Sequence, residues 1–459
     1  MKNILVTLFL VSTSLVVIGQ NINSRVATAF QTFEKDNQLV NGIASLYVVE
    51  ANSGKVVFEK NASVGLAPAS TQKLITAATA YELLGKDFRY ETHFGEVVHH
   101  NTNTGVLFIT ASGDPTLGSW RWEQTKELNV LERITKSFSN ISSLQGVVIE
   151  RGGWNYETVP GGWIWEDIGN YYGAGPSVLN WRENQFDLHL KSGTSIGGPV
   201  TIVSTTPKLY NYSLSSDVRS AAKGTGDNAY IYFPLIGTGG MVRGTIPVNE
   251  NKFTISGSMP NPADQFIFTL ADAFHNKGKE WREIKLIMSD TVISNKTILH
   301  TEISPSLDSI IYWFNRRSIN LYGEALIKTI SFEKNKKAST AEGIKLLKEF
   351  WKNKGIAVTE LNLFDGSGLS PLNRVTTKAQ VAVLQYAKKQ TWYNGFYASL
   401  PEFNGMKMKS GTINGVKGFS GYHTSKNGTE YIYSFVVNNY NGSASALVQK
   451  MYKVLNELK

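Results

Sequence analysis

Apolar and polar residues alternate with a period of two through ASLYVVEANSGKVVFEKNAS, so residues 42–64 read as a strand hairpin turning at Ala51, Asn52, Ser53 and Gly54. The period then lengthens. After Pro68 and Ser70, Leu74, Ala77, Ala78, Tyr81 and Leu84 recur at helical spacing until Gly85 closes the run. Between about Phe88 and His300 the texture changes to short strand-like runs (GVLFITAS, GVVIE, FDLHL, PVTIVS, AYIYFPL, KFTISGS) set among Gly, Trp, Tyr, Thr and Ser. One helical pattern, near Asp264 to His275, interrupts them. Helical spacing returns over 307–314, 320–331, 341–352, 377–389 and 444–458, with strands in MKMKSGT, VKGFSGY and YIYSFVVNNY. Like elements at both ends and a long middle of different character predict an α+β protein. One domain is built from 20–87 and 301–459, and 88–300 is an inserted, mostly β domain of one or two subdomains.

The first residues change the picture of where the chain works. Lys2, the apolar stretch Ile4 to Ile18 and the small Val17 and Gly19 read as a signal peptide over 1–19, cut near Gln20. A membrane anchor is the alternative, but polar QNINSR follows without a basic cluster. No other stretch approaches spanning length, so no stable membrane span is expected after processing. The chain has no cysteine, which excludes disulfides, thiol catalysis and thiolate metal sites. The formal charge of +9 suits anionic surroundings or a solvated surface equally, and no basic run is dense enough for nucleic acid. The seven histidines do not cluster, His99-His100 reads as a polar turn, and no metal-ligand spacing appears; no metal or cofactor is expected.

Ser70-Thr71-Gln72-Lys73 is the first candidate for chemistry. Three residues apart on a helix, Lys73 can reach the Ser70 hydroxyl. A serine alcohol is a weak nucleophile that needs a base, and a lysine serves only when kept neutral by burial or neighbouring cations. Ser331-Phe332-Glu333-Lys334 matches the same pattern, but in the charged run EKNKK; only Ser70 has apolar flanks, LAPAS and LITAATA. The second candidate is Ser318-Ile319-Asn320. Ser318 reads either as the N-cap of the following helix or as a proton relay, with Asn320 holding a substrate amide. Its decoy is Ser425-Lys426-Asn427, in a hairpin turn. The third is Lys409-Ser410-Gly411-Thr412 at the end of a strand, where a cation can bind a carboxylate and a glycine permits close backbone approach. The same tetrapeptide at Lys191 to Thr194 falls in the wrong order.

Taken in order, these elements match the S-x-x-K, S-D-N and K-T-G set of penicillin-interacting serine enzymes, with Ile319 for Asp and Ser410 for Thr. The chain resembles the D-alanyl-D-alanine carboxypeptidase/endopeptidase family, the class C low-molecular-mass penicillin-binding proteins. The 248 residues from Ser70 to Ser318 are far more than class A β-lactamases have, and a long insertion after the nucleophile helix marks this family. ASGDPTLGS, GGWIWEDIGNYYGAGPSVLN, RGTIP and DGSGLSPLNRVT are similar too. The resemblance implies a β-lactamase/transpeptidase-like domain, with helices around an antiparallel sheet. It implies that Ser70 is the acyl-enzyme nucleophile, Lys73 its base, and Ser318 and Asn320 the relay. Lys409, with Ser410, Gly411 and Thr412, would bind the terminal carboxylate, and the N–H groups of Ser70 and of the strand at Thr412 would form the oxyanion hole. Asp365, Ser367 and their glycines are either part of the site or only a supporting tight turn. Peptidoglycan stem peptides are the expected partners in the periplasm, and β-lactams the expected covalent inhibitors. A serine β-lactamase and an inactive peptidoglycan-binding scaffold are the alternatives.

Overall fold

The computed structural model describes residues 21–97, 104–140, 143–234, 237–281 and 284–459. The expected signal segment and His99-His100 lie outside them. Both ends of the chain meet in one antiparallel sheet. Its order is Glu402–Phe403, Met406–Ile413, Val416–Thr424, Glu430–Asn438, Ile43–Glu50 and Val56–Lys60. Glu430–Asn438 is buried on both faces along most of its length, which is why its sequence is a continuous apolar run rather than an alternation. One face is covered by helices Ile22–Glu34 and Ala444–Asn456 through Phe30, Phe33, Leu447 and Met451, which pack with Phe435 of the sheet. Each such side chain contributes about 1.5–3 kcal/mol by leaving water.

The other face carries the helices on which the candidate residues lie. Lys73–Leu84 runs through the middle of this layer, buried from Lys73 to Tyr81 all round, so its sequence shows almost no amphipathic stripe. Around it pack Leu307–Arg317, Asn320–Asn335, Thr340–Asn353, Thr377–Lys388 and Tyr393–Ser399. Tyr81 stacks on Trp392 with ring centroids 4.8 Å apart.

The middle of the chain forms a mixed sheet and two smaller ones. The first has the order Glu280–Trp281, Ser143–Glu150, Thr104–Thr110, Glu91–Val97 and Lys296–Ile303. Thr104–Thr110 and Leu286–Ser289 pair parallel to Ser143–Glu150, which requires crossover connections. Helix Glu127–Ser137 supplies one crossover and packs with Pro262–His275 on that sheet. The spacing predicts one helix here; the structure adds Glu127–Ser137, whose Val130, Leu131 and Ile134 recur at helical spacing and bury one face. Helix Ile22–Glu34 is likewise additional, burying Val26, Phe30 and Phe33 at the same spacing. The two three-stranded sheets share a core of Phe186, Leu188, Val218, Ile231 and Val242.

Candidate active site

Ser70 sits in a single 3-10 turn, Ala69–Gln72, that runs directly into helix Lys73–Leu84. Ala69 takes a left-handed conformation (φ 46°), which for a residue with a side chain costs about 1–3 kcal/mol and presents the next residue sharply at the start of the helix. Lys73 is completely buried. Its Nζ lies 3.0 Å from Ser70 Oγ and donates to Asn320 Oδ1 at 2.6 Å and to the Ser367 carbonyl at 2.7 Å. Burial pushes its pKa down from 10.5 to about 7, against the opposing charges of Asp365 and Glu324. An amine in that range is partly unprotonated at neutral pH, the condition a lysine base needs.

Ser318 is not an N-cap. It ends helix Leu307–Arg317 in a left-handed conformation (φ 56°), and the next helix, Asn320–Asn335, starts after Ile319 without any side-chain cap. The hairpin of conformations frees the Ser318 hydroxyl, which meets Lys409 Nζ at 3.0 Å. Asn320 is buried with its amide fully engaged, accepting from Lys73 and donating to the Tyr172 carbonyl at 2.7 Å. Lys409 is 2% exposed; its Nζ also donates to the Ser410 carbonyl, and burial, Lys73 and Lys417 together hold its pKa well below the lysine range.

Gly411 explains how the strand reaches Ser70. A Cβ at that position would stand 2.7 Å from the Pro68 carbonyl oxygen and 2.9 Å from the amide nitrogens of Ser70 and Thr71. Only a glycine lets the strand backbone lie against the Ser70 turn. Thr412 is exposed beside it, its hydroxyl accepting from Lys417 Nζ at 2.7 Å. Thus Ser70, Lys73, Ser318, Asn320, Lys409, Ser410, Gly411 and Thr412 come to one place.

The decoys go elsewhere. Ser331 is buried inside a helix, its hydroxyl on the Lys337 carbonyl, while Lys334 points to water. Lys191, Gly193 and Thr194 are exposed at the end of strand Gln185–Ser192, and Ser425 bonds Asn427 within a hairpin turn. Among the described residues no group of three or more His, Cys, Asp or Glu is placed to hold a metal, and no helix is long and apolar enough to cross a membrane.

Residues 26–402 match the D-Ala-D-Ala carboxypeptidase 3 (S13) family. The chain belongs to that family. It is 26% identical over 454 residues to a D-alanyl-D-alanine carboxypeptidase of Actinomadura sp. (strain R39), covering 90% of this chain and 81% of that one. It is 23% identical over 423 residues to the D-alanyl-D-alanine carboxypeptidase DacB of Haemophilus influenzae, covering 85% and 84%. The fold is similar to the crystal structure of penicillin binding protein 4 (dacB) from Haemophilus influenzae, with a TM-score of 0.79 at 20% identity over 94% of this chain and 99% of that one.

In this carboxypeptidase two features of the site were missed or left open by the motifs. The first is the loop after Asn362. Asp365, completely buried, accepts from Trp163 Nε1 (2.9 Å), the Gly368 and Ser370 amides (2.8 and 2.6 Å) and Asn373 Nδ2 (2.9 Å). Gln72, next to Lys73, donates to both its backbone and its carboxylate. Asp365 therefore shapes the loop whose Ser367 carbonyl holds Lys73, and through Trp163 it ties the middle of the chain to that loop. The DGSG string was visible; its partner Trp163 was not, because the two are 202 residues apart. The second is Glu324, buried one helical turn after Asn320, whose oxygens accept from the Gly366 amide at 3.0 and 3.1 Å. Burial, reinforced by Asp365, raises its pKa from 4.5 to about 8. The helical spacing of Asn320 and Glu324 was the available signal.

Proposed function

We propose that Ser70 is the nucleophile of a serine DD-peptidase acting on peptidoglycan stem peptides that end in D-Ala-D-Ala, in the periplasm. The carrying observation is the dry Lys73 amine 3.0 Å from the Ser70 hydroxyl, with its pKa lowered to about 7. Lys73 takes the Ser70 proton as Oγ attacks the carbonyl carbon of the penultimate D-alanine. Asn320 and the Ser367 carbonyl hold the amine in line. The amide N–H groups of Ser70 and Thr412, brought together by Gly411, receive the oxyanion. Collapse breaks the C–N bond; Ser318, beside Lys409, passes its proton to the departing amine of D-alanine and takes in its place the one that Lys73 holds. Water then cleaves the ester and restores Ser70. The substrate's terminal carboxylate lies against Ser410, Thr412 and Lys409, and a β-lactam, carrying a comparable carboxylate and a strained amide, acylates Ser70 at the same place.

The same chemistry applied to a D-Ala–diaminopimelate cross-link makes the enzyme an endopeptidase as well. Residues 20–87 and 301–459 form the catalytic domain in this reading, with 88–300 inserted. The test is Ser70→Ala in folded protein, checked by its melting curve. Loss of both fluorescent-penicillin labelling and D-alanine release is expected; labelling that survives the change would overturn the assignment. Rapid turnover of a chromogenic cephalosporin by the wild type would point to a β-lactamase instead.

A further inference from the structure

The strand that closes the site carries a cation outside the three motifs. Lys417, on strand Val416–Thr424, lies directly across from Thr412 in the antiparallel ladder, so the two side chains project from the same face. Ser410, two residues before Thr412, shares that face. Lys417 Nζ donates to Thr412 Oγ1 at 2.7 Å and lies over the Phe419 ring, 5.1 Å from its centroid. The side chain is half-buried with its tip reaching the exposed Thr412 hydroxyl. Burial lowers its pKa, and its charge in turn bears on Lys409 on the neighbouring strand.

What is missing is a counter-charge. Among the described residues the polar partners of Lys409 are Ser318 and the Ser410 carbonyl, and that of Lys417 is Thr412; neither lysine enters an ion pair with a protein carboxylate. Two like charges beside two hydroxyls repel each other and stay desolvated unless an anion joins them. A carboxylate bound there gains charge-assisted bonds from both sides.

We propose that Lys417 is a second carboxylate-binding cation of this site: with Ser410 and Thr412 it grips the free α-carboxylate of the residue beyond the scissile bond, so that carboxylate-terminated peptides are the preferred substrates. This rests on the DD-peptidase reading and deepens it by naming what selects the substrate. Lys409 supplies the first cation, beside Ser318, and Lys417 the second, across the ladder from Thr412.

The test compares diacetyl-lysyl-D-alanyl-D-alanine with its C-terminal amide, following release of D-alanine and of D-alaninamide. Wild type is expected to favour the acid. Lys417→Met lowers the acid-to-amide ratio of kcat/KM about tenfold, worth about 1.4 kcal/mol, mainly through a higher KM for the acid. Lys417→Arg restores most of the ratio, and raising the salt concentration narrows it in wild type but not in the Met variant. An unchanged ratio in folded Lys417→Met, or an Arg variant no better than Met, would overturn the inference while leaving the peptidase reading intact. A wild-type enzyme that releases nothing from either peptide would overturn that reading first, and this one with it.

Discussion

Lys73 makes the sharpest demand on experiment. An ordinary lysine at pH 7 is free base in about one molecule in three thousand. With its pKa lowered from 10.5 to about 7, Lys73 is unprotonated in roughly half. The difference is about 5 kcal/mol between the two protonation states, supplied by removing the ammonium from water into a pocket of Phe314, Asn320 and the Ser367 carbonyl. The perturbation is pH, and the assay is the second-order rate constant for acylation of Ser70 by a fluorescent penicillin. Below about pH 7 that constant is expected to fall about tenfold per pH unit; above it, the profile flattens as the free base saturates. Lys73→Arg, cationic at every accessible pH, is expected to lose roughly 10²-fold to 10⁴-fold and to show no such limb. An acid limb centred near the ordinary lysine value, or an Arg variant that acylates at the wild-type rate, would refute the assignment of Lys73 as base. The same burial has a stability signature. The unfolded chain binds the Lys73 proton up to about 10.5 and the folded chain only to about 7, so this group makes stability rise with pH across that window and exacts its full penalty below it.

Glu324 works in the opposite sense: its folded pKa lies above its unfolded one, so the folded state binds more protons between 4.5 and about 8 and loses stability as pH rises through that window. Glu324→Gln is therefore expected to raise the melting temperature more at pH 8 than at pH 5, by calorimetry at both, and an equal change at the two values would show that the carboxyl is not kept protonated. Gly411→Ala places a methyl 2.7 Å from the Pro68 carbonyl oxygen, so the strand must move off the Ser70 turn. A displacement near 1 Å is expected to cost on the order of 10²-fold in kcat/KM for D-alanine release, with a small loss of melting temperature. Wild-type kinetics in that variant would mean that the close approach is not needed for turnover.

Much of the fold was written in the periodicity. The hairpin over 43–60, the helix after Ser70 and the three closing strands emerge from periods of two and 3.6, because each element must hide one face of side chains from water. Helices Ile22–Glu34 and Glu127–Ser137 were legible too, from Val26, Phe30 and Phe33 in one and Val130, Leu131 and Ile134 in the other, but each is a single narrow stripe easily passed over beside strand-like segments. The three short motifs were legible, yet each had a twin, and composition around the twins did only part of the sorting.

What the sequence determined by itself is the set of candidate groups and their order: a serine with a lysine one turn on, a Ser-x-Asn, and a KSGT strand end, in a chain without cysteine. Tertiary structure alone decided which copies come together and how. It closed 248 residues of chain between Ser70 and Ser318, dried Lys73 to completion and turned Ser318 left-handed, away from any capping role. It also set Lys417 across from Thr412. The reason is physical. Nucleophilicity and carboxylate affinity here depend on desolvation and on distances near 3 Å between groups far apart in sequence, and only a packed core sets either one.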